Sequence, residues 1–369
     1  MDAIEYFSDL PPFLSDLEAF IRLESPSRDR AALEKAALWI DQAFGPGLER
    51  QDTPAGPLLT WRGGSQRGRR TLLLCHYDTV HPAGALSFQV QGQRASGPGV
   101  YDMKGNIVML RSVLRAASAL GRPLPPLTAL FTPDEEVGSR ASRAAIEAEA
   151  ERHDAVLVLE GPMSNGDPKV ARKGVGLYRL EVQGLAAHQG VEPELGANAI
   201  VELARQILAV QAMEDRELGT TLGPNLAAGG TATNVVAARA WLEVDLRVWS
   251  AAEADRVDAA LRVLRPQDAR IRLQWSGGLN RPPMEPSEAS LGLFRLLQEV
   301  GARLGLELHP GRVGGGSDGN FTAALGRPTL DGLGLVGEAA HQPGESIFLD
   351  QVPVRSALLL ELLAALAQG

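Results

Sequence analysis

His76 and Asp78 form a pair whose residue types and spacing point to metal chemistry. They follow the short apolar run 71–75, and a spacing of two in extended backbone puts both side chains on one side. A carboxylate in that position can accept the second N–H of the imidazole, which fixes the tautomer and makes the other nitrogen a better metal ligand. The alternative is a histidine in a polar loop beside a turn-forming aspartate.

Two further acidic segments have the same kind of setting. Asp102 lies in the glycine-rich stretch 97–105, at the start of a predicted helix. The three acids 134–136 follow the apolar run 127–131, and adjacent carboxylates repel one another unless a cation or solvent screens them. A helix cap is the alternative for Asp102, and a solvated loop is the alternative for residues 134–136.

Glu160 and His341 are ordinary residues when each is taken alone. Glu160 follows the apolar residues 156–159, where a glutamate is usually solvated, and His341 lies in the glycine-containing stretch 334–342. They indicate a metal site only as part of a complete set, which is His76, Asp102, Glu136, Glu160 and His341. Two imidazoles and three carboxylates suit zinc or a similar divalent ion. If one carboxylate bridges, five ligands fit two ions about 3.5–4 Å apart.

Predicted strands that alternate with predicted helices must position these side chains. Strands are expected at 71–75, 127–131 and 155–159, and helices at 12–24, 30–44, 105–120, 140–151, 288–304 and 353–367. This alternation predicts an α/β fold with a mostly parallel central sheet flanked by helices. Ligands of such sheets bind beyond the carboxyl ends of the strands, which is where the candidate residues fall.

The pattern changes near residue 173, which indicates an inserted domain. Alternating residues predict strands at 175–183, 241–248 and 270–275, and helical periodicity predicts helices at 197–213 and 251–264. This order predicts an α+β sandwich on an antiparallel sheet, and residues 280–283 are expected to form the hinge out of it. We therefore predict a catalytic domain of 1–172 and 282–369, with 173–281 inserted as a lid and dimerisation domain.

Composition excludes several classes of partner. The chain has 369 residues and a net charge of −9, so it has no broad attraction for nucleic acid or anionic lipid. Cys75 is the only cysteine, which rules out an intrachain disulfide and a thiolate zinc cluster. The acidic start of the sequence is not typical of a secretory signal, and no apolar run approaches bilayer-spanning length. A cytoplasmic protein without membrane or nucleic-acid partners is expected.

Five collinear motifs resemble those of the M20 metallopeptidase family of two-zinc exopeptidases and deacylases. They are CHYDTV, GPGVYDMKG, FTPDEEVGS, LVLEGP and GEAAH, and the resemblance runs from about residue 70 to 345. Within the family, the likeness is closest to the glutamate carboxypeptidase (carboxypeptidase G2-like) branch. That likeness rests on AAHQGVEPELGANAI, TNVVAARAWLEVDLRV, GGGSDGN and LGLVGEAAH.

The resemblance implies roles for the metal-site residues. It implies two Zn²⁺ per chain, with Co²⁺ or Mn²⁺ as possible substitutes. The implied ligands are His76 and Glu160 for one ion, Glu136 and His341 for the other, and Asp102 as the bridge. Glu135 would be the general base, and Asp78 would orient His76. Members of the family also carry a cis peptide bond after the bridging aspartate, which here is the Asp102–Met103 bond.

Four residues match family positions that meet the substrate: His188, Asn234, Arg247 and Gly316. His188 and Asn234 would reach the active site of the other subunit, and His188 would help stabilise the oxyanion. Arg247 would bind a substrate carboxylate, because a guanidinium donates two parallel hydrogen bonds to it. The alternatives are a solvated surface arginine, a turn asparagine and a polar histidine before the helix 197–213.

The expected function is zinc-dependent hydrolysis of an amide bond next to a free carboxylate, as in a glutamate carboxypeptidase. The substrate would be a small peptide or an N-acyl amino acid, and the protein would be a homodimer joined through the lid domain. One alternative is an N-acyl-amino-acid deacylase of the acetylornithine or succinyl-diaminopimelate type. A remote alternative is a non-catalytic binder of amino acids or peptides, which the intact Glu135 disfavours.

Overall fold

Helices and strands alternate along most of the chain. The computed structural model describes residues 2–368. The helices are α1 (Ala3–Phe7), α2 (Leu10–Ile21), α3 (Arg30–Phe44), α4 (Lys104–Ala119), α5 (Arg143–Glu151), α6 (Ala199–Gln211), α7 (Ala251–Val263), α8 (Glu288–Arg303), α9 (Gly319–Ala324) and α10 (Val352–Leu366).

The strands are numbered in chain order as well. They are β1 (Leu48–Asp52), β2 (Pro57–Gly63), β3 (Thr71–His76), β4 (Gln89–Gln91), β5 (Arg94–Ser96), β6 (Leu127–Thr132), β7 (Ala155–Val158), β8 (Lys169–Arg172), β9 (Gly174–Gln183), β10 (Thr221–Gly229), β11 (Arg239–Val248), β12 (Arg272–Arg281), β13 (Gly311–Val313), β14 (Thr329–Leu330), β15 (Gly337–Glu338) and β16 (Ser346–Phe348). Within residues 2–368, no helix combines the length and apolar character needed to cross a bilayer.

The chain divides into two compact units. Unit 1 comprises Met1–Ala171, Pro286–Val313 and Ser317–Gly369, and unit 2 comprises Arg172–Glu285 and Gly314–Gly316. The short glycine segment Gly314–Gly316 groups with unit 2 although it is far from the rest of that unit in sequence. The strand predicted at 270–275 is longer in the structure, because β12 continues to Arg281. It therefore includes the first two residues of the predicted hinge 280–283.

The main sheet of unit 1 has the strand order β1-β2-β6-β3-β7-β14. The four strands β6, β3, β7 and β14 are parallel, and β2 and β1 extend the sheet in antiparallel pairing. The predicted mostly parallel sheet is confirmed. The antiparallel pair β1 and β2 was missing from the sequence prediction, because β1 is exposed and largely charged and carries no apolar periodicity.

Both faces of this sheet are covered, which explains the continuous apolar runs. In β3, Leu73 and Cys75 join the larger core, whereas Leu72 and Leu74 join a second core on the opposite face. Helices α2, α3, α4, α8 and α10 contribute to the larger core, and α5 and α9 contribute to the second. The strands are therefore held rigidly, and their carboxyl ends form a firm base for a site.

Unit 2 has an antiparallel sheet in the order β10-β11-β9-β12. Alternate residues of β9 and β11 are buried, and helices α6 and α7 pack over that face in one apolar core. This arrangement confirms the predicted α+β sandwich. Strand β10 was not predicted from the sequence, because it contains Pro224 and two glycines. Its pairing register with β11 shifts between Pro224 and Leu226.

Helix starts follow from local chemistry in both units. The side chains of Asp29, Asn198, Ser250 and Ser287 each accept a hydrogen bond from a backbone N–H in the first turn of α3, α6, α7 and α8. Such caps satisfy amides that have no partner inside the helix and stabilise it by about 1 kcal/mol each. The sequence signals for these four helices are therefore local, and their predicted starts lie within two residues of the observed ones.

Candidate metal centre

Parallel strands bring most of the candidate residues to one edge of the unit 1 sheet. His76 is the last residue of β3, and Glu135 and Glu136 lie in a short 3-10 turn (Glu135–Val137) that begins three residues after β6. Glu160 lies two residues beyond β7. Since β3, β6 and β7 are parallel neighbours, their carboxyl ends meet at this edge. Asp102 is carried there by the glycine-rich loop before α4.

Asp102 lies between two imidazoles. Its Oδ1 is 3.0 Å from Nε2 of His76, and its Oδ2 is 3.0 Å from Nε2 of His341. The Asp102–Met103 peptide bond is cis, as the resemblance implies. Each oxygen of one carboxylate therefore faces a different histidine, which is the arrangement a bridging ligand needs.

A glutamate accompanies each imidazole. Oε1 of Glu160 is 3.4 Å from Nε2 of His76, and Oε2 of Glu136 is 3.1 Å from Nε2 of His341. The site thus has two halves, His76 with Glu160 and His341 with Glu136, which share Asp102. Among the described residues, Oε1 of Glu136 is buried without a hydrogen-bond partner. Buried oxygens are rarely unpaired, so this donor set fits divalent cations.

The pKa values of the clustered side chains show that the site favours positive charge. Hydrogen bonds with Asp102 and then with Glu136 raise the pKa of His341 to about 11. Burial raises the pKa of Glu136 to about 7, although His341 opposes this shift. Burial also acts to raise the pKa of Asp102, but the two imidazoles outweigh it and hold that pKa well below its usual range. Metal ions would replace the protons that these groups share.

Asp78 holds one side of the cluster together. Its Oδ1 accepts from the backbone N–H of Glu135 (3.1 Å), and its Oδ2 accepts from that of Glu136 (3.2 Å) and from Ser27 Oγ (2.7 Å). Nδ1 of His76 lies 3.0 Å from the carbonyl oxygen of Asp78 and 3.4 Å from its Oδ1. Because a carbonyl only accepts, Nδ1 carries a proton in this contact, and Nε2 is the nitrogen that would bind a metal. The orienting contact is therefore made by the backbone carbonyl more closely than by the expected carboxylate.

Glu135 and Glu136 have different neighbours in the site. A carboxylate oxygen of Glu135 lies within 4.8 Å of ligand atoms of both His76 and Glu160. An oxygen of Glu136 lies within the same distance of ligand atoms of His76 and Asp102, and Glu136 also contacts His341. The two glutamates thus share His76 and differ in their other neighbours.

The loop that carries His341 has an unusual backbone. Ala339 has a φ of 58° and His341 a φ of 63°, in the left-handed region that residues other than glycine seldom adopt. The His341 side chain remains 52% exposed while its Nε2 contacts Asp102 and Glu136. Sequence periodicity carries no signal for such a backbone.

The four predicted substrate residues lie in unit 2. The His188 and Asn234 segments are adjacent, because His188 forms a β-bridge with Val235 and the Asn234 carbonyl accepts from the N–H of Gln189 at 2.9 Å. The carbonyl of Gly316 accepts from Nη1 of Arg172 at 3.3 Å. All of these contacts are between residues of unit 2.

Arg247 has a partner that the sequence analysis did not anticipate. Its Nε and Nη2 donate to Oδ1 and Oδ2 of Asp245 at 2.7 and 2.9 Å. The two residues share one face of β11, since they are two positions apart. The spacing itself was the missed signal. The Asp245 carboxylate thus occupies the Nε–Nη2 side of the guanidinium.

Two other contributors to the metal centre were also missed. Ser27 supports Asp78 from 51 positions away, and the buried Glu345 accepts from the backbone N–H groups of Tyr101 and Asp102. Nothing in the Ser27 segment signals its role. The position of Glu345, four residues after His341, was the signal that the sequence offered.

Paired imidazoles and carboxylates at the carboxyl edge of a parallel sheet form a donor set suited to divalent metal ions. Comparisons with known proteins give the class of enzyme. The profile of Peptidase family M20/M25/M40 matches residues 72–365. The chain is 30% identical to carboxypeptidase G2 from Pseudomonas sp. (strain RS-16), over 97% of this chain and 90% of that protein.

Other similar proteins are named for different activities. Acetylornithine deacetylase from Myxococcus xanthus is 26% identical over 85% of this chain and 84% of that protein. The crystal structure of aminopeptidase PepT from Bacillus cereus superposes with a TM-score of 0.76 at 19% identity, covering 96% of this chain and 98% of that one, which shows the shared fold.

The chain belongs to the M20 peptidase family. It is a metallopeptidase-type enzyme that acts on amide bonds, and it is similar to the carboxypeptidase G2 branch.

Proposed function

We propose that the protein is a dinuclear zinc hydrolase that removes a C-terminal acidic residue, in the manner of a glutamate carboxypeptidase. The observation that carries the proposal is the position of Asp102, whose two oxygens each lie 3.0 Å from a different imidazole. His76 and Glu160 would hold one ion, and His341 and Glu136 the other. Co²⁺ or Mn²⁺ are possible substitutes for zinc.

The bound ions would supply a water with a lowered pKa and would polarise the scissile carbonyl. Glu135 would accept the proton of that water and pass it to the departing amine. Asp78 would keep Glu135 in place, because its carboxylate accepts the backbone N–H of that residue. Nδ1 of His76 would keep its proton throughout and donate it in a hydrogen bond to the Asp78 carbonyl, so that Nε2 remains a ligand.

Substrate selection is assigned to unit 2. Arg247 would bind the free carboxylate of the substrate. Before substrate binds, Asp245 would hold the Arg247 guanidinium in a fixed plane through two hydrogen bonds. His188 would support the oxyanion from the partner subunit, with Asn234 beside it and Gly316 lining the substrate path. These roles follow from the resemblance, and the adjacency of the His188 and Asn234 segments supports a shared task.

A homodimer through unit 2 is part of the proposal. Strand β10 lies at one edge of its sheet and exposes Leu226 (58%), and helix α6 exposes Leu208 (66%). A sheet edge with free backbone groups and exposed apolar side chains favours pairing with a second copy across a two-fold axis. The cytoplasmic location stays a prediction, in keeping with the single buried cysteine.

The second candidate function is N-acyl-amino-acid deacylation. It is favoured by the match to acetylornithine deacetylase, which covers most of both chains. Such an enzyme would use the same metal residues with a different pocket, so the metal centre does not separate the two.

A substrate panel tests the choice. The zinc-loaded protein should hydrolyse peptides ending in glutamate with higher kcat/KM than N-acetylornithine or N-succinyl-diaminopimelate. The matched control is the same peptide with a C-terminal amide. Loss of a charge-assisted hydrogen bond costs about 1.5–3 kcal/mol, so kcat/KM should fall by about 10- to 100-fold. Preference for either acyl amino acid would transfer the proposal to the deacylase, and equal turnover of acid and amide would refute carboxylate recognition.

A further inference from the structure

Glu345 is a charged residue in a place where burial is nearly complete. It is 1% exposed, yet both of its carboxylate oxygens have partners. Oε1 accepts from the backbone N–H groups of Tyr101 (2.8 Å) and Asp102 (2.9 Å). Oε2 accepts from the N–H of Gly99 (3.1 Å) and lies 2.6 Å from Nε2 of His81. One side chain thus binds three amides of the loop that presents Asp102.

The backbone of Glu345 joins the same loop. Its carbonyl accepts from the N–H of Gly97 at 3.3 Å. The next residue begins β16, which pairs with β5 through Ser346 and Ser96. Glu345 also follows His341 by four residues. Glu345 therefore contacts both the segment that carries His341 and the loop that carries Asp102.

This arrangement explains why a carboxylate occupies a buried position. The Gly99–Asp102 turn leaves several N–H groups pointing to one place, and a carboxylate can accept all of them with charge-assisted bonds. An apolar side chain of similar volume would leave these amides unpaired, which is costly inside a protein. The same bonds set the direction in which the Asp102 side chain leaves the loop.

The two halves of the metal site have different supports. His76 and the Glu135–Glu136 turn are held by Asp78, through contacts that do not involve Glu345. The Glu345 carboxylate accepts from the backbone N–H of Asp102, and the Glu345 N–H donates to the carbonyl of Gln342, the residue after His341. The half formed by His341 and Glu136 therefore depends on Glu345 for two of its three ligands, whereas the half formed by His76 and Glu160 depends on it for the shared Asp102 alone.

We propose that Glu345 is a positioning residue that sets the distance between Asp102 and His341 and so controls the affinity of the ion held by His341 and Glu136. This inference rests on the proposed dinuclear function. It assigns no contact between Glu345 and substrate or metal. The His76–Glu160 half should be much less sensitive to the residue at position 345.

The test compares zinc binding and catalysis in Glu345→Ala, Glu345→Gln and the unchanged protein, using chelator competition to resolve two successive affinities. In Glu345→Ala one of the two affinities, which we assign to the ion held by His341 and Glu136, should fall by about 10- to 100-fold, the range typical when a group that supports a ligand is lost. The other affinity should change much less. Glu345→Gln should be intermediate, because its amide oxygen can still accept from Tyr101 and Asp102.

A matched control separates positioning from general stability. Asp167 is also a buried carboxylate of unit 1, and its oxygens accept from the His309 N–H and the Asn165 side chain at 2.7 Å. Asp167→Asn should lower the melting temperature and leave both zinc affinities unchanged. At saturating zinc, Glu345→Gln should recover most of its kcat, with KM near that of the unchanged protein.

The outcomes are distinct. Unchanged zinc affinities in Glu345→Gln and in a folded Glu345→Ala would overturn the inference, and so would equal weakening of both ions. If Glu345→Ala does not fold, Glu345→Gln alone decides, with the same criteria. Failure of the unchanged protein to bind two ions is a different result, because it removes the dinuclear function itself.

Discussion

Replacing Glu135 with glutamine should abolish most turnover while the protein keeps its metal. The amide preserves the size of the side chain but cannot accept a proton, and loss of a general base typically lowers kcat by about 10²- to 10⁴-fold. The backbone N–H of residue 135 would still donate to Asp78, so the fold of the turn should be unchanged. The measurement is kcat on a glutamate-terminated peptide, together with the metal content of the same sample.

Glu136→Gln is the matched control, because it makes the same chemical change one residue away. Glu136 contacts His341, whereas Glu135 approaches His76 and Glu160. The Glu136 variant should lose affinity for one ion and regain activity as zinc is raised. The Glu135 variant should not respond to added zinc. If Glu135→Gln releases metal and Glu136→Gln retains it, the assigned roles of the two glutamates are reversed.

Mixing two inactive variants should restore activity if His188 works in the partner's site. His188→Ala keeps an intact metal centre, and Glu135→Gln keeps an intact His188, so a heterodimer contains one complete site. Random exchange makes half of the dimers mixed, and about a quarter of all sites should then be active. The measurement is peptide hydrolysis after the two proteins have been unfolded together and refolded.

The control for this experiment is each variant refolded alone, which should stay inactive. Subunit exchange should be checked separately with two tags of different size. Verified exchange without any recovery of activity would place His188 in its own subunit's site or outside catalysis. A monomeric protein in solution would remove the homodimer proposal altogether.

The clustering of the candidate metal residues was predictable because of how they are placed along the chain. His76 ends a buried apolar strand, and Glu136 and Glu160 lie within four residues after two others. The parallel order of those strands then forces their ends together. The unit 2 sandwich was predictable for a similar reason, because β9 and β11 alternate strictly between buried and less buried positions.

The supporting contacts were not predictable in the same way. Glu345 binds amides 243 to 246 positions earlier in the chain, and Ser27 donates to Asp78 across 51 positions. Such pairs depend on tertiary packing, and no local pattern encodes them. Strands β1 and β10 were missed for another reason, since exposed edge strands carry little apolar periodicity.

Zinc titration of the metal-free protein tests the dinuclear site most directly. Metal content per chain and hydrolysis of a glutamate-terminated peptide should be followed in the same samples. Asp102 lies 3.0 Å from both His76 and His341, so we predict that the protein binds two zinc ions and that activity saturates only as the second is bound. Full activity at one equivalent, with no further zinc bound in excess metal, would contradict a dinuclear site.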